Sequence, residues 1–175
     1  VSRLNKLVND PKISTWQYCI PIILVQTISA PMGWAAQSLA LPALAKVLLE
    51  GRKYETINLN DYRLNFYGQT LEGDQLDEVI AKMKEADIVV MGSPVYWHNI
   101  CASVRTLMER FYGYVPDGEF KGKRLFFVYQ GAAPTKMMID DGEYSMSRFA
   151  GMYGFSYEGM ATSKSEAKTL KGKLK

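Results

Sequence analysis

Short apolar runs alternate with helix-forming segments five times along this chain, and that alternation restricts the fold more than any other feature. Residues 22–27, Ile-Ile-Leu-Val-Gln-Thr, are nearly continuous in apolar character, as a strand covered on both faces must be. Pro21 has no N–H for a sheet ladder, so this first strand is expected to begin at or after it. A turn over 29–33 leads into 34–50, rich in Ala and Leu, which predicts a helix ended by Gly51. Pro42 predicts a kink or a break within it. Residues 54–59 alternate as a second strand, and 60–73 form a loop with Tyr62, Phe66 and Tyr67. Asp74 is expected to cap a helix reaching residue 85, with Leu76, Val79, Ile80 and Met83 on one face. A third strand over 87–91, a loop over 92–99 and a helix over 100–112 follow. The remainder predicts a fourth strand over 123–129, a helix over 141–150, a fifth strand over 152–160 and a short basic helix or tail over 165–175. Residues 1–17 are polar and weakly patterned and read as an arm, leaving 18–175 as a single domain.

Strands and helices in strict alternation imply right-handed crossovers and a parallel sheet with helices on both faces. A chain of 175 residues suits one domain with a core of its own. Five strands in that length fit a flavodoxin-like three-layer α/β/α sandwich, with a five-stranded parallel sheet in the order 2-1-3-4-5.

Composition excludes several classes. A hydrophobic share of 47% is too high for wholesale disorder. The net charge of +3 gives no ground for a nucleic-acid partner and weighs against the acidic surface of a carrier that docks on basic redox proteins. Cys19 and Cys101 sit in no paired motif, which predicts no disulfide framework and fits a reducing cytoplasm. With one histidine and no cysteine cluster, no metal site is expected. The longest apolar run, 20–25, contains Pro21 and is too short to span a bilayer, so no membrane is expected. Asn, Asp and Lys precede any apolar stretch, which predicts no secretory leader.

Open parallel sheets bind ligands at the carboxyl ends of their strands, where the strand order reverses. In this order the place lies between strands one and three, so the loops after Thr27 and Met91 are the ones to inspect. The second reads Gly92-Ser93-Pro94-Val95-Tyr96-Trp97-His98-Asn99. Two large aromatics beside a stiffening proline can flank a flat conjugated ligand and exclude water from it. Backbone N–H groups and Asn99 can donate to ring or ribityl oxygens. Alternatively, Tyr96 and Trp97 cap the core or form a subunit contact.

The segment Ala86-Asp87-Ile88-Val89-Val90-Met91-Gly92-Ser93-Pro94-Val95-Tyr96-Trp97-His98-Asn99 resembles the signature of the NAD(P)H-dependent FMN reductase and multimeric flavodoxin family. Members carry A-D, an apolar run and G-S-P-x-Y-W-x-N, then a helix with a basic residue and an acidic–Arg pair; here Arg105 and Glu109-Arg110 stand in those places. Residues 57–62 also resemble the family's second strand, and the likeness extends over 22–160 with 86–110 as its specific block. It implies FMN as cofactor, NADH or NADPH as a transient electron donor, and Pro94 to Asn99 packed along the isoalloxazine ring. It further implies a homodimer or homotetramer in which a neighbour closes the site, with Phe111, Tyr112, Tyr114 and the 62–67 loop as contact aromatics.

The loop after strand one would hold the FMN phosphate, because free N–H groups and the dipole converge at a helix start. Ser29, Met32, Gly33, Gln37 and Ser38 are its candidate residues, with Pro31 where the family carries an arginine. After strand four, Gln130 and Gly131 are candidates for the pyrimidine edge, Gly131 for the close backbone approach it permits. Residues 133–136 read equally as a plain surface turn. His98, the one histidine, is a candidate for protonating a reduced acceptor such as a quinone. Cys101 reads as a small buried hydrophobe. Some relatives bind an iron–sulfur cluster through cysteines after strand two; residues 63–68 here contain none, so no cluster is expected. The leading expectation is an FMN-dependent NAD(P)H oxidoreductase that reduces a quinone, an azo or nitro compound, or free flavin. The alternatives are an electron-transfer flavodoxin and a cofactor-free binding protein on the same fold. No Gly-x-Gly-x-x-Gly run is present, so the nicotinamide would bind over the flavin rather than in a unit of its own.

Overall fold

The two apolar runs 88–91 and 125–129 send their side chains alternately to two separate cores. In the computed structural model, which describes the backbone over 21–25 and 35–174 and side chains over 41–174, the elements follow the strand–helix alternation. They are β1 (Pro21–Val25), α1 (Ala35–Leu48), β2 (Glu55–Asn58), α2 (Leu76–Glu85), β3 (Ile88–Tyr96), β4 (Asn99–Ile100), α3 (Ala102–Arg110), β5 (Arg124–Gln130), α4 (Lys136–Tyr153), β6 (Ser156–Ala161) and α5 (Lys164–Lys171). The expected arm over 1–17 lies outside the described residues.

The sheet order is β2-β1-β3-β5-β6, with every neighbour along that path parallel. β1 runs beside β3 from Pro21↔Ile88 to Val25↔Gly92, and β3 beside β5 from Ile88↔Arg124 to Pro94↔Gln130. Val89 and Met91 of β3, with Leu125, Phe127 and Tyr129 of β5, face a core closed by α2, α3 and α4. Ile88 and Val90, with Phe126 and Val128, face a second core closed by α1 and α5. This is the physical reason for the unbroken apolar runs: a central strand between two helical layers has no polar side. At β6 a bulge inserts Glu158 between the pairs Leu125↔Tyr157 and Phe126↔Gly159; Gly159 there has φ +118°, a conformation that favours glycine.

Several expected boundaries move. α1 continues as helix through Pro42 rather than breaking there. The cap position of α2 belongs to Gln75, not Asp74, and its side chain makes no capping bond. The Asp74 carboxylate reaches the Leu76 N–H at the start of α2, accepts from the Asn65 N–H and pairs with Arg110. α4 begins at Lys136, five residues earlier than its pattern suggests, because Thr135 Oγ1 accepts from the Met138 N–H and Met138 Sδ accepts from the Thr135 N–H. Phe111 is no surface aromatic: it is fully buried among Phe120, Phe149 and Tyr153, with ring centroids 4.9 to 5.8 Å away. Among the described residues, no helix is long and apolar enough to cross a membrane.

Candidate functional site

The segment 92–99 is not a loop. β3 runs on through it to Tyr96, Asn99 and Ile100 fold back as β4, and the register is Val95↔Ile100 and Tyr96↔Asn99. Only Trp97 and His98 remain as the turn. Their φ angles are +48° and +69°, so both lie in the left-handed region, as a two-residue type I′ hairpin requires. That turn is normally built from Asn-Gly or Gly-Gly. A residue with a side chain costs roughly 1–2 kcal/mol there through its Cβ. Two bulky residues in succession make this a strained tip at the carboxyl end of β3, next to the switch point between β1 and β3.

The turn is held by anchors below the tip, one of them fully buried. Ser93 Oγ, fully buried, accepts from the Cys101 N–H at 2.9 Å and donates to the Pro94 carbonyl at 2.8 Å. This ties β3 to the residue that caps α3. Asn99 Oδ1 accepts from the Ile100 N–H at 2.8 Å and from Arg105 Nη2 at 3.1 Å. Asn99 was expected to donate outward; its oxygen is turned inward to Arg105, and its Nδ2 has no hydrogen bond among the described residues. Pro94 is buried inside β3 opposite Gln130 rather than stiffening a loop. Described pairing with β1 ends at Gly92, so the proline's missing N–H falls where β3 has β5 alone beside it among the described residues.

The aromatics divide. Tyr96 is half-buried and packs on the core, as the capping alternative has it. Burial, and then the neighbouring Cys101 thiol, push its phenol above the usual range. Trp97 is 96% exposed, with its indole edge-on to His98 at 6.3 Å between ring centroids. The indole thus presents nearly its whole surface outward at the hairpin tip.

The end of β5 closes on the hairpin base. Gly131 lies so near Val95 that a Cβ added to it would sit 3.0 Å from Val95 Cβ. The backbone approach that Gly131 permits is therefore to the hairpin itself. Val95, Pro94, Gln130 and Gly131 come together as one patch, flanked by the starts of α3 and α4, both at the carboxyl edge of the sheet. Helix starts offer free N–H groups to an anionic or carbonyl-rich ligand. Ser29, Met32 and Gly33 lie outside the described residues, and of Gln37 and Ser38 only the backbone, inside α1, is described.

Three features escaped the sequence reading. The Asn99–Arg105 bond joins positions six apart across a strand end and a helix, which no periodicity reveals. Arg110 serves the fold: Nη2 pairs with Asp74 Oδ2 at 2.7 Å and Nη1 donates to the Asn65 carbonyl at 2.9 Å. Asn65, itself buried, donates through Nδ2 to the Leu71 carbonyl at 2.7 Å, so this hub organises the long loop between β2 and α2. Third, Tyr129 is fully buried with its hydroxyl unpartnered among the described residues, and burial pushes it up to about 12. Its ring fits against α4 only because residue 142 is glycine. Cys101 is buried, as expected.

Comparison with known proteins places this geometry. An iron–sulfur flavoprotein of Methanocaldococcus jannaschii is 40% identical over 77 residues, covering 39% of this chain and 40% of the relative. The chain likewise spans only 54% of an Archaeoglobus fulgidus iron–sulfur flavoprotein, 27% identical over 119 residues and covering 61% of this chain. Its structure is similar to a flavodoxin, WrbA-like protein of Agrobacterium tumefaciens (TM-score 0.57, 13% identity, 89% of this chain and 92% of that one). It is also similar to an azoreductase of Bacillus anthracis (TM-score 0.56, 15% identity, 89% and 94%). These likenesses show a flavodoxin-like fold. The family model for NADPH-dependent FMN reductase matches residues 34–145, more than half of the chain and all of the β3–β4 hairpin, and the chain belongs to that family.

Proposed function

We propose that this protein is an FMN-dependent NAD(P)H oxidoreductase whose flavin lies against the β3–β4 hairpin. The observation that carries the reading is the strained Trp97-His98 turn, with an almost fully exposed indole, at the carboxyl edge of the sheet inside the family match. Strain concentrated at one surface turn marks a place selected for use rather than stability. The residues fit the cofactor: an exposed aromatic face for a flat ring, Asn99 Nδ2 with its donors uncommitted among the described residues, and two helix starts for electron-rich oxygens. Bound FMN supplies the two-electron chemistry between a nicotinamide and an acceptor. The chain's part is to bind and orient: Pro94 and Val95 form the floor, Tyr96 shields the core beneath, and Gln130 and Gly131 line the adjoining rim. The phosphate would be held by Ser29, Met32, Gly33, Gln37 and Ser38.

Azo compounds, nitro compounds, quinones and free flavin are the acceptors this reading admits, since an open, flat site places few demands on shape. The two cysteines do not supply the four thiolates of an iron–sulfur cluster, so the proposal is for FMN alone. We also propose a cytoplasmic homodimer or homotetramer of a single domain over 18–175. The exposed aromatics Phe66, Tyr67, Tyr112 and Tyr114 are its contact candidates, with Phe111 removed by its burial. Absorbance of the purified chain after incubation with FMN, followed by addition of NADH or NADPH, tests the function. Flavin bands that bleach with the nicotinamide and return with a quinone are expected. Protein that takes up no FMN would overturn the reading, and light scattering at monomer mass would remove the oligomer.

A further inference from the structure

We infer that Arg105 is a positioning residue: acting through Asn99, it fixes an amide donor at the hairpin base and so favours the reduced state of the flavin over the oxidised one. The inference rests on the flavin reading above and adds to it the residue that sets the cofactor's redox poise.

Asn99 is partly buried and pairs with Tyr96 across the hairpin. An asparagine amide has two ends of nearly equal size, one accepting and one donating, and its neighbours decide which faces which way. Both neighbours of this amide's oxygen are pure donors. The Ile100 N–H reaches Oδ1 at 2.8 Å, and Arg105 Nη2 reaches it at 3.1 Å. A flipped amide would set N–H against N–H at both contacts, so the oxygen is held inward. Nδ2 keeps its two N–H bonds for what lies outside the hairpin. A site edged in this way admits an acceptor atom and refuses a donor.

The bond to Ile100 joins consecutive residues; the second restraint comes from a separate element, α3. The Arg105 guanidinium is partly buried and makes no ion pair among the described residues, although Glu109 lines the same cleft between α3 and α4. Arg110 of the same helix pairs with Asp74 and braces a loop, whereas Arg105 directs its charge at a neutral amide. A cation on the amide oxygen draws electron density from Nδ2 and makes its N–H bonds stronger donors. Flavin carbonyl oxygens and ring nitrogens are richer in electrons when the cofactor is reduced, so a donor beside them favours that form. Arg105 thus acts without touching the flavin, by setting the direction and the strength of the Asn99 donor.

The test reads the midpoint potential of the FMN-loaded full chain, equilibrated with a reference dye. Asn99→Ala is expected to lower the preference for reduced over oxidised flavin about tenfold, which is a potential about 30 mV lower for a two-electron couple. Arg105→Met should lower the preference by about threefold or more. In the double variant Arg105→Met should add nothing, because the amide through which it acts is gone. Asn99→Asp keeps an oxygen for both inward bonds and has no N–H to present outward. It should melt no lower than the parent, yet lower the potential at least as far as Asn99→Ala. An unmoved potential in Arg105→Met, Asn99→Ala or Asn99→Asp would overturn the inference. Equal shifts from Arg105→Met with and without Asn99 would show a direct effect of charge and overturn the positioning role. A lower melting temperature for Arg105→Met with its potential unmoved would show the residue to be structural. Failure of the flavin reading is distinct from all of these: the parent itself would take up no FMN.

Discussion

A Cβ placed on Gly142 of α4 would lie 2.4 Å from Cε1 of Tyr129 on β5, so helix and sheet meet there with no room for a methyl group. Both partners are buried and the ring is stacked on Phe127 with centroids 5.0 Å apart, so it has nowhere to go. Gly142→Ala, ordinarily favourable in a helix, is expected to destabilise by about 1–3 kcal/mol through overpacking. Urea unfolding of the parent and variant measures this, and a more stable variant would show that α4 can move outward.

Tyr129→Phe should have the opposite sign. Its hydroxyl is buried without a partner among the described residues, and an unsatisfied buried polar group costs about 1–3 kcal/mol. The variant is expected to equal the parent or exceed it. Burial pushes the phenol up to about 12. In the unfolded chain it ionises near pH 10, so the stability linked to it is complete below about pH 10 and is lost as pH rises toward 12. The variant should unfold less steeply over that interval in a pH series.

Arg110→Ala should loosen the loop between β2 and α2. Burial alone would raise the Asp74 carboxyl, but the Arg110 guanidinium and the Asn65 N–H outweigh it and hold the group below the usual carboxylate range. Removing a partly buried charged partner is expected to cost about 1–3 kcal/mol. A carboxyl lowered on folding stabilises above its unfolded value, near pH 4, and that contribution fades as pH falls below it. The parent should therefore lose stability more steeply than the variant as pH falls through about 4, and hydrogen exchange should find 62–75 less protected in the variant.

Trp97→Ala separates binding from folding. The indole is almost wholly exposed, so the unfolding free energy should change by no more than about 0.5 kcal/mol. Aromatic stacking contributes about 0.5–1.5 kcal/mol, so FMN affinity, followed by quenching of flavin fluorescence, is expected to weaken roughly threefold to tenfold. Unchanged affinity would place the flavin elsewhere.

The same residues show how much a sequence can say about this fold and site. Ile88-Val89-Val90-Met91 and Leu125-Phe126-Phe127-Val128 had to be central strands, because nothing polar interrupts them and only two covered faces can accommodate that. The start of α4 was hidden, because its cap pairs Thr135 with a methionine, an unusual partner that no pattern singles out. The hairpin was hidden for a related reason. Trp-His carries none of the Asn-Gly character that announces a type I′ turn, so Gly92 to Asn99 read as a loop.

Local chemistry along the chain thus determined the alternation of strands and helices and the layers they form. Tertiary structure decided the rest. It turned Asn99 inward to Arg105, buried Phe111 beneath α4, set Gly131 against Val95, and committed Arg110 to Asp74. Each of these depends on partners brought together from separate elements, and the free energy of such a contact is set by geometry that neither partner's own segment contains.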